Sequence, residues 1–164
     1  MKPQGPVFLI GLMGSGKTTV GKALAQKLGW RWIDLDQAIE KRRGRTVAQI
    51  FKQQGAETFR RLESAELRRQ DRPSLVVSCG GGVVLDPQNR MRLKASLTLY
   101  LAASPEVLVK RLGQDQVRQR PLLKVAGPLI SLRRLQRERA RFYRASARFE
   151  IGRASCRERV CVPV

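Results

Sequence analysis

Residues 7–19 read VFLIGLMGSGKTT, an apolar run that passes directly into Gly11-Leu12-Met13-Gly14-Ser15-Gly16-Lys17-Thr18. Every fixed position of the phosphate-binding pattern G-x-x-x-x-G-K-[ST] is filled. Glycines let such a loop turn tightly and aim its N–H groups at phosphate oxygens. A lysine at position 17 reaches the outer phosphates, and the hydroxyl of Thr18 is placed to bind Mg²⁺. The amphipathic stretch Val20–Leu28 follows, so a helix N-terminus adds its positive dipole end where the anion sits. A chance glycine-rich turn would lack that strand–loop–helix context. The motif predicts a nucleoside triphosphate site in which Gly14, Ser15, Gly16, Lys17, Thr18 and Thr19 cradle the phosphates.

Strand and helix signals alternate outward from that loop. Strands are expected at Val7–Ile10, Arg31–Leu35, Leu75–Ser78, Leu97–Leu101 and Arg148–Ile151, and the first helix at Lys17–Leu28, closed by Gly29. Asp36–Arg43 and Thr46–Gln54 read as helices split by Gly44, the second ended by Gly55, and Glu57–Gln70 as a longer helix. Asp86-Pro87 and Ser104-Pro105 each look like an N-cap followed by proline at the first helical position, opening helices to about Lys94 and over Glu106–Leu112. Gly113–Lys124 is polar and lacks periodicity, as a mobile loop would, before helix Pro128–Ala147. The alternation predicts one α/β domain, a five-stranded parallel sheet flanked by helices. Ligands of such sheets lie at the carboxyl ends of the strands. Three features converge there: the phosphate loop, Asp34/Asp36 and Gly80-Gly81-Gly82.

Composition narrows the function classes. The 164 residues are 42% hydrophobic and contain no apolar run long enough for a membrane span. Cys79, Cys156 and Cys161 form neither a disulfide framework nor a metal-ligand spacing, which fits a reducing cytoplasm. Thirty-three Lys and Arg against thirteen Asp and Glu give a formal charge of +20. Such an excess suits a nucleic-acid surface or a site for anionic ligands. With aromatics at 5% and not interleaved with basic blocks, the stacking platforms of a nucleic-acid binder are missing. Histidine is absent, so proton transfer falls to a carboxylate, a lysine or water.

A second site is suggested beyond the nucleotide. Asp34 and Asp36 have the same parity on a strand, so one carboxylate could hold Mg²⁺ through water while the other accepts a hydrogen bond from a substrate hydroxyl. The alternative is a helix N-cap pair, and Asp36 could serve as both cap and site residue. In Phe59-Arg60-Arg61-Leu62-Glu63, Glu63 lies three residues after Arg60 and can orient its guanidinium, a fork suited to a carboxylate. Taken alone, an arginine at position 60 is more often an exposed helix charge. Gly80-Gly81-Gly82 permits close backbone approach to a ligand. Cys79 beside it reads as a small buried residue rather than a reactive thiol.

Together these strings resemble the shikimate kinase family across residues 5–149 and in the family's order: GLMGSGKTT (11–19), DLDQAIE (34–40), FRRLE (59–63), SCGGGVV (78–84), RPLL (120–123) and RERARFYRASA (137–147). The resemblance implies a P-loop fold of the nucleoside monophosphate kinase type and transfer of the ATP γ-phosphate to the 3-hydroxyl of shikimate. Asp36, Arg60, Arg139 and the Gly80–Gly82 backbone would then hold shikimate. Lys17, Asp36 and Arg120 would be catalytic, with Arg120 on the lid (about 113–124) reaching the ATP phosphates. Arg118 is the other lid arginine, and Arg120 is preferred because it directly precedes Pro121. Thr18 would bind Mg²⁺, supported by Asp34 through water. A cytoplasmic monomer acting on a small molecule, with no membrane or dedicated nucleic-acid partner, is the expected setting. Another small-metabolite P-loop kinase, such as a gluconate kinase, would also use a carboxylate-binding arginine and a carboxylate base. A basic nucleic-acid-binding module is the reading from a different class.

The end of the chain departs from the family pattern. Residues 152–161, GRASCRERVC, with Glu150 and Ile151 before them, resemble the translation of a sequencing adapter. On that reading residues 1–149 are the kinase-like domain, 150–164 a non-native tail, and the family's final helix is missing, leaving apolar surface uncovered. Residues 151–164 carry three arginines and one glutamate, so the rest of the chain keeps a charge of +18.

Overall fold

A computed structural model describes residues 5–113, 123 and 127–152 of the chain. Five strands, β1 (Val7–Ile10), β2 (Arg31–Asp34), β3 (Leu75–Ser78), β4 (Leu97–Ala102) and β5 (Phe149–Gly152), form one sheet in the order β2-β3-β1-β4-β5. All pairings are parallel. β1 and β3 are buried along their whole length, which is why VFLI and LVVS carry no polar alternation. The chain steps to one side of β1 for β2 and β3 and to the other for β4 and β5. The connections leaving β1 and β3 therefore diverge, and a crevice opens at their carboxyl ends.

The described helices are α1 (Lys17–Leu28), α2 (Leu35–Arg43), α3 (Val47–Arg69), α4 (Pro87–Ala95), α5 (Pro105–Arg111) and α6 (Pro128–Ser146). The cap-plus-proline signals act as expected: Asp86 accepts from the N–H of Gln88 and Asn89, and Ser104 from that of Val107. One apolar cluster spans the sheet and α6, with Phe8, Ile10, Leu132, Leu135 and Tyr143 inside it. Leu123, the last residue of the RPLL string, is buried there too. On the edge strand β5, Phe149 and Ile151 are exposed.

Local structure departs from the sequence reading at the end of β2 and adds a turn after the triple glycine. β2 stops at Asp34 and Leu35 already belongs to α2, so the strand parity invoked for Asp34 and Asp36 does not apply. The cap is Asp34 alone, whose Oδ1 accepts from the N–H of Asp36 at 3.0 Å and of Gln37 at 3.2 Å; Asp36, freed from capping, points elsewhere. Gly55 separates two helical stretches as expected: at φ 79°, ψ 169° it breaks the helical backbone, and α3 comprises the segments on either side of this kink. The triple glycine leads into a 3₁₀ turn, Val83–Leu85, that periodicity could not reveal because it is too short.

Candidate active site

The loop after β1 has the geometry its glycines allow. Gly11, Gly14 and Gly16 take φ of 142°, 79° and 95°, backbone that other residues rarely adopt, and Gly16 caps α1. A Cβ on Gly11 would lie 2.6 Å from the Leu101 carbonyl oxygen. Lys17 folds back over the loop: its Nζ donates to the carbonyls of Gly11 at 2.8 Å and Leu12 at 2.9 Å. Thr18 and Thr19 follow in the first turn of α1 and are exposed. Ser78 ties this turn to the sheet, donating its hydroxyl hydrogen to the Lys17 carbonyl at 2.9 Å.

The kink in α3 builds the second wall. It brings the Phe51 and Phe59 rings together at 4.7 Å between centroids. The Arg60 guanidinium lies over both, 5.9 Å from Phe51 and 5.1 Å from Phe59. Its Nη1 donates to Glu63 Oε2, so the i,i+3 pairing read from the sequence is made. Gly82 explains itself here: a Cβ would fall 2.1 Å from Arg60 Nη1. A Cβ on Gly80 would fall 2.5 Å from Glu63 Oε1 and 2.8 Å from Asp36 Oδ1. All three glycines have ordinary backbone, so they serve close approach rather than positive φ. The groups approached are the protein's own Arg60, Glu63 and Asp36, not only a ligand.

Gly81 joins the two walls. Its Cα faces the start of the phosphate loop, with an added Cβ 3.6 Å from the Gly11 oxygen and 3.8 Å from the Met13 nitrogen. Its carbonyl accepts from Arg139 Nη1 at 3.0 Å and from the Tyr143 hydroxyl, both on α6. The turn that follows is held from α4, where Arg90 donates to the Val84 and Leu85 carbonyls and Asn89 to that of Val83. Asp34, Asp36, Arg60, Gly80–Gly82 and Arg139 thus gather with Lys17 at one end of the sheet. Arg118 and Arg120 lie outside the described residues. Two contributors carry no sequence signal of their own. Arg111, at the end of α5, places Nη1 3.4 Å from the Ser15 carbonyl, and Tyr143 stands inside an expected helix. Only tertiary packing brings them in.

Burial pushes the Glu63 carboxyl up from 4.5 to about 7, against the pull of Arg60, with Asp36 adding to the rise. The folded state therefore holds this proton more tightly than the unfolded chain. The stabilisation is complete below pH 4.5 and is lost as the pH rises through about 7. Across that interval the wild type should lose up to about 3 kcal/mol relative to Glu63→Gln. Urea unfolding of both proteins at several pH values measures this, and parallel stability curves would contradict it. Cys79 is buried, its thiol pushed well up by burial, consistent with packing rather than reactivity.

A phosphate loop, a carboxylate beside the glycine turn that adjoins it, and a guanidinium poised for an anion define an ATP-dependent phosphotransferase with a small acidic acceptor. Among known proteins, the shikimate kinase family model matches residues 13–162. A shikimate kinase of Paracidovorax citrulli is 47% identical over 154 residues, covering 92% of this chain and 83% of its own. One from Neisseria meningitidis serogroup C is 44% identical over 158 residues, 95% of this chain and 92% of its own. The solved structure of a shikimate kinase from Acinetobacter baumannii in complex with shikimate superposes with a TM-score of 0.86 at 37% identity, covering 92% of this chain and 83% of that one. The chain belongs to the shikimate kinase family and is an ATP-dependent kinase.

Proposed function

We propose that the crevice transfers the ATP γ-phosphoryl group to the 3-hydroxyl of shikimate, with the residues above in specific roles. The observation that carries the reading is the pairing of Arg60, fixed on Glu63 above Gly82, with Asp36 beside Gly80. That is a carboxylate receptor and a hydroxyl acceptor on the glycine turn that adjoins the phosphate loop. Arg60 and Arg139 hold the shikimate carboxylate and the Gly80–Gly82 backbone lines its ring. Asp36 orients the attacking hydroxyl and takes its proton as the new O–P bond forms. The bond from the γ-phosphorus to the β–γ bridging oxygen breaks, and ADP leaves. Gly14–Thr19 cradle the triphosphate, and Lys17 exchanges its loop carbonyls for phosphate oxygens. Arg120 adds charge from the lid.

Phosphoryl transfer depends on alignment and on neutralising spread charge more than on covalent chemistry, which this arrangement suits. The hard oxygen donors expected for Mg²⁺ are present: the Thr18 hydroxyl is exposed at the helix start, and Asp34 keeps Oδ2 after capping with Oδ1. When bound, that ion would neutralise charge on the β- and γ-phosphates. No helix among the described residues is long and apolar enough to cross a membrane.

ADP release from MgATP, with shikimate, gluconate and nucleoside monophosphates offered in turn, tests the reading. Release dependent on shikimate alone is expected, and release with another acceptor alone would overturn it. Gly82→Ala sharpens the test of Arg60. The added methyl displaces the end of a flexible side chain, so folding should survive while the fork leaves its place. The shikimate KM should rise roughly ten- to a hundredfold, the value of charged hydrogen bonds. An unchanged KM would remove Arg60 from the site.

A further inference from the structure

Arg139 faces two demands. In this structure its guanidinium is buried, donates Nη1 to the Gly81 carbonyl at 3.0 Å, and has Nε without a hydrogen-bond partner among the described residues. A substrate carboxylate would compete with that carbonyl for the same cation. The carbonyl has two lone pairs, and the Tyr143 hydroxyl, one helical turn further along α6, donates to it as well. Tyr143 is fully buried and stacked on Tyr100, centroids 5.0 Å apart and planes at 20°, so its hydroxyl has little freedom to turn away. Burial also drives that hydroxyl's ionisation far up, so it stays a donor.

We infer that Tyr143 is a positioning residue for the acceptor: it keeps the Gly81 carbonyl satisfied so that Arg139 can turn to the shikimate carboxylate without stranding a buried acceptor. An unsatisfied buried carbonyl is costly, whereas one hydrogen bond kept by tyrosine makes the exchange nearly neutral. The same bond holds Gly81 against Gly11 and Met13, so substrate can bind without the glycine turn shifting toward the phosphate loop.

The inference rests on the reading of Arg139 as a substrate-binding cation, and the experiment separates the two. Tyr143→Phe removes the hydroxyl and keeps the ring stack. The shikimate KM should rise roughly three- to tenfold, the worth of one neutral hydrogen bond, with kcat and the ATP KM within about twofold. A merely structural tyrosine would lower the melting temperature and leave the shikimate KM in place, and that result would overturn the inference. Arg139→Lys, measured alongside, should raise the shikimate KM on its own. If it does and Tyr143→Phe does not, only the inference fails; if neither does, the reading of Arg139 fails with it. Should Tyr143→Phe not fold, the two tyrosines of the chain offer a second route. In a Tyr100→Phe background grown on 3-fluorotyrosine, position 143 becomes a stronger donor and the shikimate KM should fall. A KM that stays level or rises would overturn the proposal.

Discussion

Asp36→Asn should lower kcat by about 10²- to 10⁴-fold, the range lost when a positioned proton acceptor is removed, while shikimate binding weakens far less. The asparagine keeps the size of the side chain and one acceptor oxygen, so it can still orient the hydroxyl. It cannot take the proton. The chain contains no histidine, and Glu63, the neighbouring carboxyl, is committed to Arg60 through Oε2 and buried. Single-turnover measurements with saturating shikimate should show the loss in the chemical step. A variant with wild-type single-turnover rate would mean that Asp36 only binds.

Lys17→Met should cost roughly 10²- to 10³-fold in kcat, the effect of deleting one preorganised donor to developing charge. In the structure Lys17 Nζ already rests on the Gly11 and Leu12 carbonyls, so the ammonium is held within the loop before nucleotide arrives. Methionine preserves the stem and removes the charge. The loop conformation itself is set by Gly11, Gly14 and Gly16, so the fold should remain, with ATP affinity reduced but measurable by calorimetry. If the variant turned over at the wild-type rate, the phosphate loop would not be the catalytic nucleotide site.

Much of this was legible in the residues. The phosphate loop could be read because its constraint is local: glycines at positive φ, then a lysine and a threonine at the start of a helix. Strands β1 and β3 could be read because buried parallel strands are continuous apolar runs. The pairing of Arg60 with Glu63 could be read from helical spacing. The strand-parity argument for Asp34 and Asp36 failed. Strand parity and helix capping compete at a strand end, and capping won at Asp34. The Gly81 clamp could not be read, since Tyr143 reaches it across 62 positions of sequence. The reason for Gly82 was equally hidden, because the atom that excludes a side chain there belongs to Arg60 in a different helix.

The kink at Gly55 carries a warning for anyone redesigning this chain. Scored on helix propensity alone, a glycine inside a 23-residue helix is the first residue to replace with alanine. At φ 79°, ψ 169° that replacement is strained, and relieving it would straighten the helix. Phe51 would swing away from Phe59, and the aromatic shelf under Arg60 would come apart. A sequence optimised for a steadier helix would thereby lose its grip on the acceptor, with every catalytic residue still in place.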